Sequence, residues 1–121
     1  MYGNVAHSIY AQNDVEIESP HKLIEMLYEG VLRFNAQAKK AISDGDIEKR
    51  VYWINRSVAV ITELISSLDM EQKGTVAKYL HGLYTHEIQL LMEVNSFENI
   101  EKLDECSHVF KELLEAWKSI S

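Results

Sequence analysis

One cysteine, one proline and five glycines in 121 residues are few, and each scarcity closes off a class of protein. Cys106 alone cannot make an intramolecular disulfide, and nothing points to an oxidising compartment. With Pro20 the sole proline, there is little to interrupt long helices, which are favoured over a turn-rich sheet. Cations are short too: 12 Lys and Arg stand against 19 Asp and Glu, a formal charge of -7. The longest basic run is Lys39-Lys40, so the clustered cations that phosphate backbones require are missing and nucleic acid is not expected as a partner. The same balance disfavours anionic membrane surfaces. No stretch approaches the ~18 apolar residues of a membrane span. The opening MYGNVAHSIYAQND lacks the basic start and apolar region of a signal peptide. A phosphate-binding glycine loop and a nucleophile elbow are also missing. The expectation is a cytosolic protein of one domain.

Helical periodicity is abundant. Ser19 is a good N-cap with Pro20 at the first helical position. From there Ile24, Leu27, Val31, Phe34, Ala38 and Ala41 step by 3 and 4, predicting a helix that ends near Ile42 before Ser43-Asp44-Gly45-Asp46. A second helix spans Asp46 to Leu68, where Ile47, Val51, Ile54, Val58, Ile61, Ile65 and Leu68 form an unbroken seam. Beside it runs another series: Trp53, Ser57, Val60 and Leu64. Asp69 with Gln72 reads as a capping box for a third helix, although Gly74 lies close to that start. The third helix carries Val76, Leu80, Leu83, Tyr84, Ile88, Leu91 and Val94, widened by Tyr79 and Leu90, and Asn95-Ser96 ends it. In a fourth, Leu103, Cys106, Phe110, Leu113, Trp117 and Ile120 share a face. Helices of about 22 residues span ~33 Å. Three short connections then make the fold all-α, an antiparallel up-down-up-down four-helix bundle over residues 19–121. Residues 1–18 read as a short arm, with Val5, Ile9 and Tyr10 able to form a helical turn or two.

Catalytic chemistry finds little support. A di-iron carboxylate site needs two Glu-x-x-His pairs on facing helices, and within the predicted helices only Glu105-x-x-His108 supplies one, since the Glu18-x-x-His21 spacing begins ahead of the Ser19 N-cap. His81 and His86 do not share a face. Cys106 falls on a seam, where an inert buried thiol is the ordinary outcome. No enzyme, cofactor or metal is expected. The apolar side chains beyond the seams are more informative: Trp53, Val60 and Leu64 on helix two, Tyr79 and Leu83 on helix three, and Tyr28 off the seam of helix one. Taken singly, each has the ordinary alternative of packing inward or lying under the arm. Together they exceed what a bundle core needs, and apolar surface rimmed by charge marks a partner site. A groove between helices suits an amphipathic helix or extended peptide.

The chain resembles the FliS family of flagellar export chaperones. The resemblance rests on Tyr10-Ala11, on Ser19-Pro20 followed by Leu23-Ile24-Glu25-Met26-Leu27-Tyr28-Glu29-Gly30, and on Gly45-Asp46-Ile47-Glu48-Lys49. It continues through Leu68-Asp69 with Glu71, Leu83-Tyr84 and Glu115-Ala116-Trp117-Lys118, covering nearly the whole chain. One departure is Lys73 before a lone Gly74, where the family usually has paired glycines. The resemblance implies a helical bundle that binds the disordered C-terminal segment of flagellin in the cytoplasm, prevents its premature polymerisation and helps deliver it to the type III export gate. On this reading the segment enters grooves lined by helices two and three, meeting Tyr28, Trp53, Val60, Leu64, Tyr79 and Leu83, while the arm with Ile9 and Tyr10 moves aside. A co-chaperone or flagellar regulator is a further candidate partner. Two alternatives are a homodimeric structural bundle and a metal-dependent enzyme using Glu105 and His108.

If the arm lies on the body rather than building it, deleting residues 1–16 leaves helical content and Tm intact by circular dichroism. A collapse of thermal stability would show instead that the arm is part of the core.

Overall fold

The computed structural model describes residues 19–71 and 75–120. Among them four helices follow one another: α1 (Pro20–Ser43), α2 (Ile47–Ser67), α3 (Val76–Phe97) and α4 (Ile100–Ser119). Among the described residues no helix is long and apolar enough to cross a membrane. The arm expected at residues 1–18, with Ile9 and Tyr10, lies outside the described residues.

The helix ends show how local chemistry sets these bounds. Ser19 Oγ accepts from the Lys22 amide at 3.3 Å, and Pro20 occupies the first turn, where its missing N–H costs nothing. The α1–α2 turn closes through Gly45, whose φ of 69° favours glycine, and the Asp46 amide donates back to the Ala41 carbonyl. Asp46 then caps α2 by accepting from the Lys49 amide at 3.0 Å.

Two expected boundaries move. Asp69 does not cap α3; its carboxylate accepts from the Glu71 amide in a local turn, and the helix begins at Val76, beyond Gly74. With α3 starting at Val76 and Thr75 in the N-cap position, Asp69 lies too far back along the chain to cap it. At the other end α3 runs through Asn95-Ser96 to Phe97. Arg50 of α2 holds that last turn, donating to the Asn95 carbonyl at 2.9 Å and pairing with Glu98. Glu98 turns left-handed (φ 54°), and the cap passes to Asn99, which accepts from the Lys102 amide at 3.2 Å.

Each helix packs on its chain neighbours, and α1 closes the ring against α4. All four interfaces are antiparallel, as cross-bundle pairs require: Phe34 with Trp53, Arg50 with Asn95, Glu93 with Lys102, and His21 with Trp117. The core line of α2 is neither of the two expected seams. It runs Ile54, Ser57, Ile61, Leu64 and Leu68, all buried, with Val51, Val58 and Ile65 half-buried on one flank and Trp53 and Val60 on the other. The expected seam fails at its first member, Ile47, which is 60% exposed. Ile47 is the first residue of α2, at the end of the bundle, where no neighbouring helix covers it as the bundle covers Ile54, Ile61 and Leu68 further along the same series.

The contrast between Ile54 and Ile47 is measurable. Ile54 is 1% exposed, so Ile54→Ala should cost ~2–5 kcal/mol in urea unfolding. Ile47→Ala, at an exposed position, should stay within ~0.5 kcal/mol. Equal losses would contradict the assigned core line.

Candidate functional site

Buried polar groups meet at one level of the bundle, with a contribution from every helix. Ser57 Oγ (α2) donates to Asn35 Oδ1 (α1) at 2.6 Å, and the Asn35 amide donates to Ser107 Oγ at 3.2 Å and Cys106 Sγ at 3.6 Å, both on α4. From α3, Glu87 reaches the same level. It is 1% exposed, its Oε2 meets His86 Nδ1 at 2.9 Å, and its Oε1 has no hydrogen-bond partner among the described residues. Burial pushes the Cys106 thiol up to about 12; the Glu87 carboxylate adds to the rise and the Asn35 amide opposes it. A thiol held neutral in this way is not a nucleophile.

A second polar contact crosses the bundle diagonal: the hydroxyls of Tyr28 (α1) and Tyr84 (α3) lie 2.6 Å apart. Around them Phe110 stacks on Tyr84 and meets Tyr28 edge-on. Where α1 starts and α4 ends, His21 and Trp117 clasp each other. Trp117 Nε1 donates to the His21 carbonyl at 2.8 Å, His21 Nε2 lies 2.9 Å from the Trp117 carbonyl, and the rings stack at 4.8 Å.

The expected site residues separate accordingly. Tyr28 and Leu64 are core, at 1% and 0% exposure, and present nothing to a partner in this conformation. The hydroxyl of Tyr28 has Tyr84 to bond, and Leu64 lies on the true core line of α2, which is why neither stays outside. Trp53 and Val60 are half-buried two helical turns apart, on the flank of α2 that meets α1. Tyr79, 66% exposed, and half-buried Leu83 border an open pocket of about 280 Å³ whose other walls are Val109, Glu112, Leu113 and Ala116. That pocket lies between α3 and α4, not between α2 and α3 as expected. Because the helices form a ring, the α1/α2 groove and the α3/α4 groove lie on opposite sides of the bundle. The expected residues thus fall into two pairs on two faces.

A metal centre at Glu105 and His108 has no geometry behind it. Both are exposed, and His108 pairs with Glu112 one turn on. Among the described residues no three His, Cys, Asp or Glu side chains converge to hold an ion. Periodicity missed a cluster around Trp53, in which Arg33 and Arg56 lie over Phe34 while Tyr52 meets Trp53 edge-on. Only the four-residue spacing of Tyr52 and Arg56 on an exposed flank hinted at it.

The chain matches the family model described as "Flagellar protein FliS" over residues 2–121. It is 54% identical to the flagellar secretion chaperone FliS of Campylobacter jejuni, over 99% of this chain and 94% of that protein. Identity to the flagellar secretion chaperone FliSB of Pseudomonas aeruginosa is 33%, covering 100% and 99% of the two chains. With FliS of Salmonella typhimurium it is 31%, covering 100% and 93%.

The Cys106 environment makes a testable statement. The fold favours the neutral thiol, so the stability this group supports is complete below its ordinary 9.0 and is lost as pH climbs towards about 12. At pH 8 iodoacetamide should leave Cys106 unmodified in the folded protein and alkylate it readily in urea. Fast labelling of the native state would contradict its assigned burial.

Proposed function

The chain belongs to the FliS family of flagellar secretion chaperones, and on that premise we propose that it holds the C-terminal segment of unexported flagellin on the outer grooves of its bundle. The observation that carries the reading is the α3/α4 pocket, an apolar trough left open beside an exposed tyrosine. Trp53 and Val60 give the opposite groove a similar apolar floor. A segment that wraps the bundle can engage both, which suits an extended or newly helical chain better than a preformed globular partner.

The physical role follows from that arrangement. Apolar side chains of flagellin that would otherwise join a filament are covered by the chaperone, so polymerisation waits until release. Ordering a disordered segment consumes ~2–5 kcal/mol or more of the gross interaction energy, which keeps a large contact releasable. Release is then set by competition at the export gate, in the cytoplasm, without nucleotide. Participation of Tyr10 in delivery, and a co-chaperone or regulator competing for the same grooves, belong to this reading as well.

A flagellin C-terminal peptide should bind the full-length protein and gain helical signal on binding. Tyr79→Ala and Leu83→Ala should each weaken it about tenfold, or ~1.4 kcal/mol, with Tm nearly unchanged. No binding at tens of micromolar would overturn the proposal.

A further inference from the structure

The chain has three arginines, and one is committed: Arg50 ties the start of α2 to the end of α3 through Asn95 and Glu98. The other two come from different helices and converge on one ring. Arg33 of α1 and Arg56 of α2 place their guanidinium carbons 5.2 Å and 5.0 Å from the centre of Phe34. Arg56 also donates to the Tyr52 hydroxyl at 3.0 Å. Phe34 in turn stacks on Trp53 at 5.5 Å, and Tyr52 meets Trp53 edge-on at 4.8 Å. Two cations and three rings therefore make one continuous plate over the α1/α2 groove.

Charge makes this plate unusual in its setting. The chain carries 19 acidic side chains against 12 Lys and Arg, and lysines such as Lys22, Lys39 and Lys102 each find a carboxylate. Arg33 and Arg56 pair with no carboxylate among the described residues. A guanidinium lying over a ring uses its flat face there, leaving its N–H edge for a carboxylate, which it can grip with two parallel hydrogen bonds. Arginine, tryptophan and tyrosine are also the side chains on which interface energy concentrates.

We propose that the Arg33–Phe34–Tyr52–Trp53–Arg56 plate docks an acidic peptide segment of a protein partner, with an apolar side chain on the rings and flanking carboxylates on the two guanidiniums. Elsewhere the net charge of -7 repels such a segment, so the plate fixes where it lands as well as how tightly it holds. The proposal shares with the reading above a peptide in the α1/α2 groove, and adds the charge of its occupant.

The test uses the full-length protein and a short helical peptide in which two glutamates four positions apart bracket leucines. The chain's two tryptophans give two indole N–H signals by NMR. The Trp53 signal should shift on titration, and that of buried Trp117 should not. Added salt should weaken binding. Arg33→Gln with Arg56→Gln, or glutamine in place of the peptide's glutamates, should weaken it at least about tenfold, while Arg33→Lys with Arg56→Lys falls between. Tyr79→Ala should leave the acidic peptide bound, so loss of flagellin binding alone leaves this proposal standing. Absence of a Trp53 shift at about 1 mM peptide, or equal binding by the glutamine forms, would overturn it. So would a fall in Tm on removing the arginines with peptide binding unchanged, which would make the plate a staple between α1 and α2 only.

Discussion

Everything else in this bundle is arranged around one constraint, the buried amide of Asn35. It sits 1% exposed in an apolar interior, and it is satisfied only when Ser57 and Ser107 stand opposite it on the two neighbouring helices. Sliding either neighbour by a turn would strand donors and acceptors at ~1–3 kcal/mol each. Apolar side chains alone are far more tolerant of such slips. The polar level therefore sets the register of α1 against α2 and α4, and the Tyr28–Tyr84 contact adds a diagonal tie to α3. With register fixed, the side chains left outside are fixed as well.

The outer surface matters for that reason. Had the helices been free to roll, Trp53 and Val60 on one side, or Tyr79 and Leu83 on the other, would turn inward and close the grooves. They stand on two opposite faces, outside a core built from buried side chains of all four helices. A chaperone for an export substrate gains from such an arrangement. On the proposed reading a bound segment would meet ready-made apolar surface, so binding energy would not be spent on opening the bundle.

Much of this was legible in the sequence. Helix count, antiparallel order and the Ser19 cap followed from spacing and capping chemistry, and the family resemblance agreed with the match over residues 2–121. The core line of α2 did not follow, because Ile47 stands exposed at the very start of the helix while Ser57 and Leu64 of the second series face inward, and spacing alone does not say where the neighbouring helices press. Polar core members such as Asn35 and Glu87 are invisible to a search for apolar periodicity. The division of Trp53 from Tyr79 onto separate faces needs the ring order of four helices, and the Arg33–Arg56 plate needs two of them side by side. Neither is a property of any one stretch of sequence.

The central claim is that one wrapped segment occupies two opposite outer grooves while the core stays shut. Hydroxyl-radical footprinting of the protein with and without a flagellin C-terminal segment tests it directly, because both grooves carry reactive aromatic side chains. The account predicts that Trp53 and Tyr79 are both protected in the complex, while Phe97, 78% exposed at the far end of α3, keeps its reactivity and core Phe110 gains none. Protection confined to one groove, or oxidation appearing at Phe110 on binding, would contradict it.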